Sequence, residues 1–135
     1  MNAMEKVAWT NLGVSAFAVV VVLAVTPWLG AGATGFFALL ALIPLSALFL
    51  RQRGPRVIVD ERDRDIDRKA RDIAVGASWM LLLVGLVAAT VWGSQTESHA
   101  VSTVLLNWLI WAQFATCFGV RGLAAIVLYR RPYAA

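Results

Sequence analysis

Charge is scarce in this sequence, and so are the residues that carry most catalytic chemistry. Only 15% of its 135 residues are Asp, Glu, Lys or Arg, whereas soluble domains carry about 25%. The one cysteine, Cys117, excludes a disulfide within the chain. The one histidine, His99, excludes a haem held by two of the chain's own histidines, and also a relay of histidines. These shortages argue against a soluble domain and against redox or proton-relay chemistry.

The sequence also lacks the local patterns of nucleotide, metal and nucleophile sites, such as a P-loop or a zinc signature. We therefore predict that the protein is not an enzyme, with no catalytic residues, no cofactor and no metal. The net charge of +4 does not indicate nucleic-acid binding, because the basic residues lie where a membrane protein needs them for orientation. Membrane lipids are the expected partners, and nucleic acid is not.

Apolar residues are abundant, at 60% of the chain, and they are collected in four runs. Runs of roughly 20 apolar residues are long enough to cross a bilayer. We place spans at about 7–29, 34–50, 72–93 and 101–128, with a charged loop or helix at 51–71. The first run also has the outline of a secretory signal peptide, but we interpret it as a retained span. The prediction is an all-α fold: one domain over 1–135, an integral membrane bundle of four transmembrane helices, the third extended into the cytoplasm.

The basic residues predict the orientation of this bundle. Lys6 precedes the first span, eight Lys and Arg lie between Arg51 and Arg71, and Arg130 and Arg131 follow the last span. The other two connections contain none. Because Lys and Arg in short loops stay on the cytoplasmic side, we expect both termini and the charged loop in the cytoplasm. The expected location is the cell inner (cytoplasmic) membrane.

The most distinctive segment is the charged stretch 60–72, in which acids and bases alternate. Asp60 is a good N-cap and opposite charges fall four residues apart, so we predict a helix that continues without a break into the third span. The predicted pairs are Asp60–Arg64, Asp65–Lys69, Asp67–Arg71 and Arg68–Asp72.

This stretch has three interpretations. It is a docking surface for a cytoplasmic partner, or a solvated helix stabilised by its own ion pairs. A hard-cation site of Asp60, Asp63 and Asp67 is weaker, because bases are interleaved at every turn. The candidate partner-binding residues are Asp60, Glu61, Arg62, Asp63, Arg64, Asp67, Arg68 and Lys69.

Few polar residues interrupt the apolar runs. Asn107, Gln113 and Arg121 are the candidate intramembrane polar residues of the fourth run. Arg121 could snorkel to the inner headgroups, pair with a buried partner or contact a substrate. Asn11 and Ser15, four apart in the first run, could form hydrogen bonds to other helices.

Proline and small residues predict where the helices bend and touch. Pro44 lies inside the second run, where it removes a backbone donor, so we expect a kink near 40–44 and name Pro44 as a candidate hinge. Small residues four apart let helices approach closely in lipid. The predicted packing residues are Ala74, Ser78, Gly85 and Ala89 in the third span and Ala115 and Gly119 in the fourth.

The motif Asp60-Glu61-Arg62-Asp63, followed by Ile66 and by Lys69-Ala70, carries a resemblance. It resembles the hallmark of a family of small prokaryotic four-span membrane proteins, in which a D-E-R-D-x-x-I-x-x-K-A motif precedes the third span. The likeness is specific over about a dozen residues and general elsewhere. It implies the four-span fold and a membrane location, and it implies no activity.

Three hypotheses for function remain open. The first is a non-enzymatic structural or accessory subunit of a larger membrane assembly, packed against other subunits or against itself. The second is a small transporter or channel acting as a homo-oligomer, with Pro44 as hinge and Arg121 as gate. The third is a tether for a cytoplasmic regulator bound at 60–72. The first agrees best with the packing faces, the six tryptophans and the missing catalytic residues.

Overall fold

The structure, a computed structural model, describes residues 3–49, 60–95 and 101–130, with side chains at all of these except residues 3 and 46–49. Regular structure within these ranges is entirely helical: α1 Ala3–Leu29, a 3₁₀ helix Gly30–Phe49, α2 Glu61–Ser94 and α3 Thr103–Arg130. Three stretches are long and apolar enough to cross a membrane, namely Met4–Leu45, Glu61–Ser94 and Thr103–Arg130. The described part of the chain is therefore all-helical and has three candidate membrane-spanning segments.

The first of these stretches is a hairpin of α1 and the 3₁₀ helix. Gly30 joins them with a positive φ of 54°, a conformation that costs glycine less than any other residue and that commonly ends a helix. Beyond this turn, Ala18 and Val22 of α1 share a buried cluster with Phe37 and Leu40 of the 3₁₀ helix. The chain thus folds back on itself after Leu29.

The 3₁₀ helix is unusually long, because runs of this geometry rarely exceed three or four residues. Besides Ala33, its buried side chains recur every third residue, at Thr34, Phe37, Leu40 and Ile43, as expected for three residues per turn. At about 2.0 Å per residue its 20 residues reach about 40 Å, against about 30 Å for an α-helix. The helix runs continuously through Pro44, which is exposed.

Helix α2 is continuous over its 34 residues. It begins after Asp60, whose carboxylate accepts a hydrogen bond from the backbone N–H of Glu61 at 2.7 Å. The prediction that the charged stretch continues into the apolar segment as one helix is confirmed. At about 1.5 Å per residue α2 is about 51 Å long, well beyond a hydrocarbon core of about 30 Å.

Helix α3 packs on α1, on α2 and on the 3₁₀ helix. It runs antiparallel to α2, because Gly85 lies against Leu109 while Asp67 pairs with Arg121. It also runs antiparallel to α1, where the closest approach is at Gly122: a Cβ there would lie 2.7 Å from the carbonyl oxygen of Ala8. The predicted notch at Ala115 and Gly119 did not include Gly122.

The start of α1, the start of α2 and the end of α3 meet at one end of the bundle, here called the charged end. Ala8 of α1, Ile66 and Ala70 of α2, and Ala125 and Ile126 of α3 form one buried cluster there. The guanidinium of Arg130 also lies 5.7 Å from the centre of the Trp9 ring, in cation–π contact. The charged part of α2 is thereby fixed beside the first turns of α1 and the last turns of α3.

Candidate functional site

A network of charged side chains joins α2 to α3 at the charged end. The guanidinium of Arg121 donates to Oδ1 of Asp67 at 2.7 Å, and that of Arg71 donates to Oδ2 at 2.8 Å. The side chains of Arg121 and Asp67 are 31% and 22% exposed, so the pair is partly shielded from solvent. Arg121 thus has a protein partner in Asp67, although neither side chain is fully buried.

A second carboxylate, Asp63, lies one turn before Asp67 and is only 3% exposed. Tyr129 of α3 donates its phenolic O–H to Oδ1 of Asp63 at 2.9 Å. Asp63 lies in the first turn of α2, where unpaired backbone N–H groups and the helix dipole stabilise a negative charge. The sequence predicted Asp63 as part of an outward surface, and it gave no sign of Tyr129.

The predicted partner-binding residues therefore divide into two groups. Asp63 and Asp67 face α3, and the other six are exposed: Asp60, Glu61, Arg62, Arg64, Arg68 and Lys69. Two of the four predicted ion pairs form within the described part of α2, Asp65–Lys69 and Asp67–Arg71, each at 2.8 Å. Lys69, through its hydrogen bond and then its charge, lowers the pKa of the Asp65 carboxyl from its usual value.

Where the three helices converge at the charged end, they form a partly open cavity of about 20 Å³. Asn11, Asp67, Arg121 and Tyr129 line it, together with apolar side chains such as Ile66 and Ala125. Asn11 is 4% exposed, and its Oδ1 has no hydrogen-bond partner among the described residues. The hydrogen bond from Asn11 to another helix, expected from the sequence, is not formed in the described part of the chain.

A different polar contact joins α3 to the 3₁₀ helix at the opposite end of the bundle. Nδ2 of Asn107 on α3 donates to Oγ1 of Thr34 on the 3₁₀ helix at 2.9 Å, and Thr34 donates in turn to the carbonyl of Ala31. Gln113 is half-buried. Asn107 thus has a structural partner, like Arg121.

An aromatic cluster separates the two polar regions. The ring of Phe37 stacks on Trp111 with centroids 6.0 Å apart, and it meets Trp108 edge-on at 6.3 Å. These rings pack against the buried cluster that contains Ala18, Val22 and Ala115. Apolar packing therefore fills the middle of the bundle between Asn11 and Asn107.

A groove of about 530 Å³ runs between α1 and α3 beside this cluster. Its lining is almost entirely apolar, and much of it is small: Ser15, Ala16, Ala112, Ala115 and Gly119. The hydroxyl of Ser15 is buried in the lining and has no partner within the described residues. The two packing residues predicted in the fourth span, Ala115 and Gly119, both lie in this groove.

The packing residues predicted in the third span lie along the contact of α2 with α3 or near it. Ala74, Ser78 and Ala89 are buried, and Gly85 faces the side chain of Leu109. The row of buried positions from Ile66 continues through Ala70, Ala74 and Ser78, all four residues apart. Ile73, three residues after Ala70, is exposed.

Some predicted features lie outside the described residues. They are the basic turn 51–56, His99 in the connection after α2, and Arg131 after α3. Within the described residues, no three Asp, Glu, His or Cys side chains converge as metal ligands would. Asp63 and Asp67, two members of the conceivable cation site, bind Tyr129 and the two arginines.

The long apolar helices extend over most of the chain, and the network of Asp63, Asp67, Arg121 and Tyr129 joins α2 to α3. The family described as "Predicted membrane protein (DUF2178)" matches residues 4–133. The chain belongs to this family. Its description establishes a membrane protein and assigns no activity. No curated protein and no solved structure matches the chain.

Proposed function

We propose that this member of the family is a non-enzymatic structural or accessory subunit of a larger membrane protein assembly. The observation that carries the proposal is the groove between α1 and α3. Small side chains along it let another helix approach closely, which is how helices associate in lipid, where hydrophobic burial gives no driving force. The lining of the groove therefore suits the close approach of one face of a transmembrane helix.

Self-packing leaves most of the apolar surface uncovered. In an apolar window of 18 residues from each candidate span, only 17% of the residues are buried in Met4–Leu45 and in Glu61–Ser94, and 28% in Thr103–Arg130. The polar side chains Asn107 and Arg121 are meanwhile bonded within the chain, which suits structural roles better than substrate binding. Lipid or partner helices must cover the rest.

The same proposal includes a topology. We take α1, the 3₁₀ helix, the apolar part of α2, and α3 as four crossings of the inner membrane, with both termini and the charged end in the cytoplasm. The hairpin at Gly30 supports this count, since it splits the stretch Met4–Leu45 into two antiparallel helices. Cysteine labelling from either side of spheroplasts, at Ser94 and at Lys6, tests it: only Ser94→Cys should react from outside.

The test of the subunit role is mass analysis of the protein taken gently from its native membrane. We expect other chains in a fixed ratio, and we expect Ala16→Leu, which fills the groove, to release them. Ala24→Leu is the matched control, because Ala24 is exposed on the same helix but lies outside the groove. A protein recovered only as a lone monomer, or an Ala16→Leu variant that keeps its partners, contradicts the proposal.

The exposed charges of α2 favour a second candidate, a tether for a cytoplasmic regulator. Asp60, Glu61, Arg64 and Arg68 line one surface depression on the outer side of the helix. Reversing Glu61 and Arg68 should then release a bound regulator and leave membrane insertion intact. Unchanged co-purification after the reversal counts against a tether.

The transporter or channel alternative has less support. A path through the bundle would have to pass the packed rings of Phe37, Trp108 and Trp111. Arg121, the proposed gate, is held by Asp67. Equal solute flux for wild type and Arg121→Gln in liposomes would eliminate this version.

A further inference from the structure

The cavity at the charged end has the size of one water molecule. Its volume of about 20 Å³ exceeds the ~10–15 Å³ that a single water needs. It lies between three helices and is partly open, and it is lined by Asn11 from α1, Asp67 from α2, and Arg121 and Tyr129 from α3. A group that bonds there contacts all three helices at once.

Asn11 is the residue in the lining whose side-chain oxygen lacks a hydrogen bond within the described residues. Its carbonyl oxygen is an acceptor, it is buried, and no described residue donates to it. A buried polar group left without a hydrogen bond costs about 1–3 kcal/mol, so such groups are normally satisfied by protein or by ordered water. The missing partner must be a hydrogen-bond donor small enough for the cavity.

The charges around the cavity determine which donor fits. The Asp67 carboxylate already accepts one bond from Arg121 and one from Arg71, so two guanidinium groups surround one carboxylate. The lining of the cavity carries one carboxylate, Asp67, and one guanidinium, Arg121, so it has no net negative charge to favour a sodium or ammonium ion. A halide ion cannot donate to Asn11, and an apolar group cannot either. Water both donates and accepts, and a guanidinium has five N–H donors, of which Arg121 uses one on Asp67.

We infer that this cavity is a hydration site, in which one water molecule donates to Oδ1 of Asn11 and accepts from the guanidinium of Arg121. The water extends the Asp67–Arg121 pair to α1, which also meets α2 and α3 at this end through the apolar cluster and the Arg130–Trp9 contact. Because Asp67 and Arg121 are partly exposed, the water exchanges with the solvent at the charged end. The site is independent of what occupies the groove between α1 and α3.

The experiment is proton-detected NMR of the full chain in lipid nanodiscs, measuring transfer of magnetisation from water to the side-chain amide protons of Asn11. Spectra at two pH values separate through-space transfer from proton exchange, because only exchange accelerates with pH. We expect through-space transfer in the wild type. Its absence overturns the inference, and this measurement needs no variant.

Two variants sharpen the result. Ala125→Val fills the cavity with methyl groups and keeps every polar side chain, so the transfer should disappear. Ser15→Ala removes the neighbouring buried hydroxyl, which does not line the cavity, and should leave the transfer unchanged. Transfer that persists in a folded Ala125→Val protein places the water elsewhere. A melting temperature that rises with NaCl, but not with N-methylglucamine chloride at equal ionic strength, assigns the site to a cation instead.

Discussion

Replacing Gly122 with alanine should loosen α1 from α3. The added Cβ would lie 2.7 Å from the carbonyl oxygen of Ala8, 2.7 Å from the backbone nitrogen of Leu12 and 3.0 Å from the Leu12 Cβ. Two of these atoms belong to the backbone, so no side-chain rotation can relieve the overlap. Ordinary contact begins near 3.4 Å, so the two helices must separate by about 0.7 Å.

The cost follows from that separation. A radial gap of 0.5–1 Å forfeits roughly a quarter to a half of each dispersion contact across an interface, and overpacking costs about 1–3 kcal/mol in well-packed cores. Alanine also favours the helix over glycine by up to about 1 kcal/mol, which offsets part of the loss. We therefore expect Gly122→Ala to lower the free energy of unfolding by about 1–2 kcal/mol.

The assay is reversible unfolding in mixed micelles, followed by tryptophan fluorescence. Gly13→Ala on α1 and Gly76→Ala on α2 are matched controls, because a Cβ at either position meets nothing within 4 Å. The controls should be neutral or slightly stabilising. If Gly122→Ala is as stable as the controls, the close approach of α1 and α3 described here is wrong.

The polar contacts give three further predictions, all measured by the same unfolding assay. Asp67→Asn and Arg121→Gln should each cost about 1–2 kcal/mol, because the pair is only partly exposed. The double variant should cost less than the sum of the two, because the groups interact, and strictly additive losses would show that they do not. Tyr129→Phe removes the donor to Asp63 and should cost about 1–2 kcal/mol, and unchanged stability would show that this hydrogen bond does not contribute to the packing of α3 on α2. Asn107→Ala should cost about 0.6 kcal/mol by losing Thr34, and no further loss should occur when Thr34→Val is already present.

Local features of this fold were predictable because they depend on neighbours in sequence. The N-cap at Asp60, the unbroken course of α2 and the pairs Asp65–Lys69 and Asp67–Arg71 all involve residues at most four apart or within one helix. Spacing alone cannot decide which of several possible pairs form. Arg68 and Asp72 have the same spacing, but they are exposed on α2 and do not pair in the described structure.

Long-range features escaped prediction because they depend on the register between helices. Tyr129 and Asp63 are 66 positions apart, and Arg121 and Asp67 are 54 apart. Nothing in either segment alone identifies its partner. The register also determines which face of α2 is buried: the row of Ala70, Ala74 and Ser78 permits close packing on α3, and the larger Ile73 is exposed.

The 3₁₀ geometry was not predicted either. Measured with the rise of an α-helix, the second apolar run was short for a span. Pro44 inside this run predicted a kink. The period of three in the buried residues Thr34, Phe37, Leu40 and Ile43 was present in the sequence. Small residues and alanines between them obscured it among other apolar positions.

If the 3₁₀ helix crosses the bilayer, as we propose, its length makes the conformational energy of the protein depend on bilayer thickness. If its 20 residues rewound into an α-helix, it would shorten by about 10 Å, at about 0.5 Å per residue. A thicker hydrocarbon layer favours the extended form, and a thinner one favours rewinding, at fractions of a kcal/mol per Å of mismatch. Rewinding would also turn Phe37 and Ile43 off their common row, so the lipid composition of the membrane bears directly on the packing of the first hairpin.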